Sequence, residues 1–227
     1  MKKKAVILLS GGLDSTTCLA IAIKDKFEIN ALTINYGQRH SFELIAAKNI
    51  VNNYNVKNHK IINIDLSKFG GSSLTDNLTI PKDRNESDLQ NIPNTYVPAR
   101  NTVLLSLALA FAETINAYDI FIGVNALDYS GYPDCRPEYI ESFEKTANLA
   151  TKSGVSGHIF SIHTPLINMT KADIINKGNE LGVNYSLTSS CYDPFKNGDP
   201  CGRCDACYLR IKGFNMSKIK DPLNYSG

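Results

Sequence analysis

Short apolar runs alternate with amphipathic stretches along most of the chain. Ala5–Leu9 is an unbroken apolar run closed by Ser10-Gly11-Gly12, and Ser15–Lys26 then carries Cys18, Leu19, Ala22 and Ile23 at helical spacing. This reads as strand, tight turn, helix. The same alternation predicts strands at Ile29–Asn35, Lys60–Asp65 and Tyr118–Gly123, with helices at Phe42–Tyr54 and Val103–Ile115 between them. Pro137–Ala150 is helical in pattern and His158–His163 extended. Thr170–Leu181 is helical again, with Thr170 as its N-cap and Gly182 as its C-terminal cap. Strands alternating with helices predict an α/β fold, an open, mostly parallel five-stranded Rossmann-like sheet with helices on both faces. Two long segments interrupt the rhythm, Leu66–Pro98 and Val124–Arg136. The first is rich in Asp, Asn and Lys and reads as a surface excursion or partly disordered lid. From Ser189 onward periodicity gives way to Cys, Gly, Pro and Asp. The expected division is a main domain over residues 1–188 and a small metal-stapled C-terminal lobe over residues 189–227.

Length and charge narrow the classes. A chain of 227 residues has room for one core with an appended lobe. Its formal net charge is +2, with basic residues scattered beyond the solvated Lys2-Lys3-Lys4 start, so no field is present to gather nucleic acid and no nucleic-acid partner is expected. No run reaches the roughly eighteen apolar residues of a membrane helix, and the chain starts with a strand in place of a cleavable apolar segment. The expectation is a cytoplasmic protein without membrane association.

The turn Leu9-Ser10-Gly11-Gly12-Leu13-Asp14-Ser15-Thr16 lies where a parallel sheet binds ligands, beyond the carboxyl end of a strand and at the start of a helix. Two glycines let phosphate oxygens approach main-chain N–H groups, and the helix N-terminus makes the place electropositive. Ser10, Ser15 and Thr16 add hydroxyls, and Asp14 suits a Mg²⁺ ion bridging phosphates. Without Gly-Lys-Ser/Thr this is not a Walker loop. Ser-Gly-Gly-x-Asp-Ser resembles the PP-loop of N-type ATP pyrophosphatases, among them NAD synthetase, GMP synthetase, argininosuccinate synthetase and tRNA-modifying enzymes. Thr164-Pro165-Leu166 followed by Met169-Thr170-Lys171 fits that resemblance, which implies that Lys171 reaches the phosphates.

Cys191, Cys201, Cys204 and Cys207 give C-x9-C-x2-C-x2-C. Four crowded thiolates close a tetrahedral shell, so a structural zinc ion is the expectation; an iron–sulfur cluster also suits four thiolates. Cys18 reads as a small core residue. Cys135 stands in the second long segment, whose Asp128, Tyr129, Tyr132, Asp134 and Arg136 follow a strand carboxyl end and suit a small, flat, polar ligand. Arg100 and Asn101 stand at a helix start, where Arg100 suits a carboxylate or phosphate. On the residues alone, both stretches also read as packed surface loops.

Leu9–Ser15, Asn35-Tyr36-Gly37-Gln38-Arg39-His40, Val97-Pro98-Ala99-Arg100-Asn101, Gly123-Val124-Asn125, Tyr132-Pro133-Asp134-Cys135-Arg136-Pro137 and the four terminal cysteines together resemble the QueC family of 7-cyano-7-deazaguanine synthases. The resemblance runs through nearly the whole chain and is weakest over Asn77–Asn94. It implies a C–N ligase that turns 7-carboxy-7-deazaguanine and ammonia into the nitrile with ATP and Mg²⁺, on the route to queuosine. It also implies zinc on the four cysteines and a homodimer. The site residues it implies are Leu9–Thr16 for ATP, with Asp14, Lys171 and Arg100 in the chemistry. Arg100, Asn101, Asp128, Tyr129, Tyr132, Asp134 and Arg136 are implied for the deazaguanine. Two other readings compete: a PP-loop tRNA sulfurtransferase, and a zinc-ribbon nucleic-acid-binding module on an inactive nucleotide domain.

Overall fold

The computed structural model describes residues 2–84, 92–127 and 132–225. Its centre is a five-stranded, wholly parallel sheet of β1 (Lys4–Leu8), β2 (Glu28–Asn35), β3 (Asn58–Asn63), β4 (Asp119–Phe121) and β5 (Ser161–His163). The spatial order is β3-β2-β1-β4-β5. The chain leaves β1 toward β2 on one side and returns to β4 on the other. The crevice beyond the carboxyl ends of β1 and β4 is therefore the switch point where such sheets bind ligands.

Period-two alternation sorts the β1 side chains onto two faces. Val6 and Leu8 join one buried cluster with Leu105, Ala108, Ile140 and Phe143 of α3 (Arg100–Thr114) and α4 (Pro137–Ala150). Ala5 and Ile7, with Leu9 just beyond the strand, face the other cluster with α1 (Leu13–Lys24), α2 (Phe42–Asn53) and α6 (Lys171–Glu180). Cys18 is fully buried there. A short turn of helix, α5 (Lys152–Val155), follows α4. Helix α6 begins with a capping box: the Thr170 hydroxyl accepts from Asp173 N and the Asp173 carboxylate accepts from Thr170 N. It ends at Gly182, whose φ of +73° is the left-handed cap conformation expected of it.

Two expectations need correction. The tail is not without regular structure, because Asp205–Ser217 forms α7, packed against α6. Its buried face is built from Ala206, Cys207, Leu209, Gly213 and Phe214, where cysteine and small residues replace the aliphatics that would have announced a helix. The segment from residue 66 to 98 is no loose excursion over its described parts. Leu66, Leu74, Ile80 and Val97 are buried in the core, and residues 82–84 are strapped to the lobe. Lys82 pairs with Asp193 and bridges to Cys204, Asp83 pairs with Arg203, and Arg84 pairs with Asp205. Among the described residues no helix is long and apolar enough to cross a membrane.

Candidate active site

The glycine turn owes its shape to two close approaches. Gly11 has φ +92°, and a Cβ there would collide with the Glu43 carbonyl oxygen and stand 2.7 Å from Ala47 N. Gly123, just past β4, would set a Cβ 3.0 Å from the backbone of Asp14 and Ser15. Only glycine lets α2 and the end of β4 press against the turn. Thr16 Oγ1 and Ser15 Oγ donate to the Gly12 carbonyl at 2.7 and 3.1 Å, and Leu13 N donates to Ser190 Oγ at 3.2 Å. Thr16 therefore stiffens the turn from beneath and does not line the cavity in front of it.

That cavity, of about 210 Å³, lies at the switch point and is walled by Leu9, Ser10, Gly12, Leu13, Asp14 and Ser15 on one side. Arg100, Asn101, Tyr132, Cys135 and Asn125 wall it on another, and the lobe contributes Ser190, Tyr192 and Ala206. Lys171, buried on α6, reaches Asp14 with Nζ at 2.7 and 2.8 Å from the two carboxylate oxygens. The capping box fixes where α6 starts, and so where this ammonium stands beside the N-terminus of α1. The turn thus presents a helix N-terminus and hydroxyls to the cavity, with the Lys171 ammonium behind Asp14.

The Arg100 guanidinium lies 5.5 Å from the Tyr36 ring centroid and donates to Tyr36 Oη at 3.3 Å. Asn101 donates from Nδ2 to the Asp134 carbonyl and to Cys135 Sγ, both at 3.3 Å. Burial pushes the Cys135 thiol up to about 12, so it stays protonated and no nucleophile. Tyr132 packs on Tyr96 and shares a 3.0 Å hydrogen bond with Thr95.

Not every expected residue reaches the wall: Lys171 stands behind Asp14 and does not line the cavity itself. Asp134 is buried behind it, where Oδ2 accepts from Asn101 N at 3.0 Å and holds the first turn of α3. Arg136 is exposed as the N-cap residue of α4, away from the cavity. Asp128 and Tyr129 lie outside the described residues. Conversely, Tyr36, Gln38, Glu43, Asn125, Ser190 and Tyr192 line the cavity without having been singled out as site residues. The available signal for Tyr36 and Gln38 was their place directly after β2, the strand beside β1.

Glu43 is half-buried, its open part facing the cavity, and burial raises its pKa to about 7 against the opposing pull of Arg100. Between its ordinary value and about 7 the folded chain holds more protons than the unfolded one, so stability falls as pH rises through that window. Glu43→Gln removes this loss: calorimetry is expected to find it melting above the parent at pH 8 and level with it at pH 4.

The four cysteines form a second centre, all buried, with Sγ atoms within 4.8 Å of one another. Cys191 and Cys204 Sγ are 3.9 Å apart, close to the roughly 3.8 Å that two thiolates keep around a tetrahedral zinc ion. Backbone N–H groups point at the sulfurs: Asp193 and Cys201 donate to Cys191, Arg203 and Cys204 to Cys201, and Tyr192 to Cys204. Such donors stabilise thiolate charge, and the set fits a metal ion.

Comparison with known proteins follows this geometry. The model of the family described as "Queuosine biosynthesis protein QueC" matches residues 4–218. A protein of Pelobacter propionicus named 7-cyano-7-deazaguanine synthase is 59% identical over 228 residues, covering 100% of both chains. One of the same name from Paramagnetospirillum magneticum is 56% identical, covering 99% of each. Among solved structures, NMN synthetase from Francisella tularensis superposes with a TM-score of 0.52 at 17% identity, over 96% of this chain and 79% of that one. A 4-thiouridine synthetase solved with RNA and ATP gives a TM-score of 0.52 at 19% identity, over 94% and 53%. These two share the fold.

Proposed function

The chain belongs to the QueC family, and from that premise we propose that it converts 7-carboxy-7-deazaguanine and ammonia to 7-cyano-7-deazaguanine in queuosine biosynthesis, consuming ATP·Mg²⁺. It is an ATP-dependent C–N ligase. The carrying observation is the helix-opening glycine turn facing the same cavity as Arg100, with the buried Lys171 held on Asp14 behind it.

A carboxylate resists attack because oxide is a poor leaving group. Adenylation supplies a good one: carboxylate oxygen attacks the α-phosphorus, pyrophosphate departs, and AMP leaves when nitrogen attacks the acyl carbon. The amide oxygen is removed by a second adenylation, so two ATP are spent per nitrile. In this reading the turn from Leu9 to Ser15 and the Lys171 ammonium stabilise the charge that gathers on the leaving pyrophosphate. Thr16 acts by stiffening the turn. Arg100 holds the substrate carboxylate, and Asn101 and Tyr132 fix the ring, with Asp134 acting through Asn101. Asp128 and Tyr129 are read as further substrate residues, whereas Arg136, exposed and away from the cavity, is not.

The metal is read as zinc. Four thiolates leave no open position, so it holds Ser190, Tyr192 and Ala206 against the cavity and does no chemistry on substrate. Residues 189–227 are thus a lobe clamped on the domain of residues 1–188. A cytoplasmic location fits six cysteines without a disulfide. A homodimer fits the exposed apolar Leu149 at the end of α4 and Val155 and Ile159 after it. Purified protein given 7-carboxy-7-deazaguanine, ammonium and ATP·Mg²⁺ is expected to yield nitrile, AMP and pyrophosphate. Turnover to ADP, or none with the metal in place, would overturn the reading.

A further inference from the structure

Among the described residues two carboxylates line the cavity, Asp14 and Glu43, and they are engaged differently. Asp14 gives both oxygens to Lys171. The Glu43 carboxylate has no hydrogen bond or ion pair among the described residues. It stands in the first turn of α2, whose backbone is pressed against Gly11, and so beside the turn assigned to the nucleotide. The adenylation reading leaves one participant without a partner, the nitrogen nucleophile. Ammonium has no lone pair, so it must shed a proton before it can attack. A free carboxylate there both attracts the cation and accepts its proton.

We propose that Glu43 is the base that takes the proton from the ammonium ion before nitrogen attacks the acyl adenylate. This rests on the adenylation reading. Ammonium passes one proton to the Glu43 carboxylate, leaving ammonia and a neutral carboxyl group. The nitrogen lone pair forms the C–N bond, the C–O bond to the phosphate breaks, and AMP carries off the electron pair. The nitrogen then releases one more proton to solvent and the amide is complete. Nothing is oxidised or reduced.

The groups facing Glu43 are consistent with that task. Arg100 of α3 is the nearby cation, Tyr36 follows β2, Tyr132 and Cys135 close the wall as neutral groups, and Tyr192 lines it from the lobe. The Asp14–Lys171 pair is internally neutral. A carboxylate with proton affinity near neutrality is suited to accept a proton and pass it on.

The test compares the parent with Glu43→Gln in three reactions. Without ammonium, ATP–pyrophosphate exchange driven by 7-carboxy-7-deazaguanine is expected to stay within about threefold of the parent. With ammonium at pH 7, nitrile formation is expected to fall roughly 100-fold or more. With hydroxylamine, which is largely unprotonated at that pH, hydroxamate formation is expected to return to the parent's level. Loss of exchange in the variant, or equal losses with both nucleophiles, overturns the proposal; Glu43 would then hold the ring or the nucleotide. A parent without exchange would instead sink the adenylation reading. Should the variant not fold, the parent's pH profiles decide. The ammonium rate should rise with pH through the Glu43 titration and then level off; a rate that keeps rising with free ammonia toward ammonium's own titration refutes the role.

Discussion

Lys171→Met is expected to lower kcat/KM for ATP-dependent turnover by roughly 10²–10³-fold while the protein stays folded. The ammonium is almost wholly buried, its place set by the Thr170–Asp173 capping box, and it donates to both oxygens of Asp14 in the first turn of α1. A cation so held needs little reorganisation when pyrophosphate departs. Methionine keeps the stem that packs against Gly213 of α7 and removes only the charge. The Asp14 carboxylate left behind is 23% exposed, so it can be rehydrated. Asp14→Asn is the harsher change for the fold because it takes a carboxylate partner from a buried ammonium, at about 3 kcal/mol. Steady-state kinetics and pyrophosphate exchange, with melting curves for both variants, check these outcomes. A Lys171→Met enzyme within threefold of the parent would reduce the pair to a structural one.

Removing the metal, or replacing Cys204 by serine, is expected to lower the melting temperature by roughly 10 °C or more and to abolish turnover with it. Cys204 is fully buried, and its neighbours Asp205 and Arg203 anchor residues 83–84. Losing about 4 kcal/mol from a chain of this size corresponds to about 8–16 °C. Activity should fail because Ser190, Tyr192 and Ala206 come to the cavity from the lobe. Zinc analysis should find one ion per chain, and chelation should cost activity and stability together. Activity surviving complete metal loss would refute the clamp.

Much of this was legible in the chain. The first strand, turn and helix could be read because the apolar run, the glycines and the helical spacing all agree. The cysteine spacing announced a metal site, and Thr170 as N-cap marked the start of the helix that carries Lys171. What escaped depends on tertiary approach. Glu43 sits in the first turn of a helix, where an acidic residue is ordinary, and only the packing of α2 on Gly11 turns it toward the cavity. Asp134 and Arg136 share one loop with Tyr132, yet the chain's course sends one beneath α3 and the other to solvent. Helix α7 was hidden because cysteine and glycine occupy its buried face.

The central claim is that both oxygens of the substrate carboxylate leave by adenylation at the cavity between β1 and β4. Substrate labelled with ¹⁸O at both carboxylate oxygens, turned over in unlabelled water and followed by mass spectrometry, tests it directly. Two molecules of AMP per nitrile, each carrying one ¹⁸O, is the predicted result. Label released to water or inorganic phosphate, with AMP unlabelled, would contradict it.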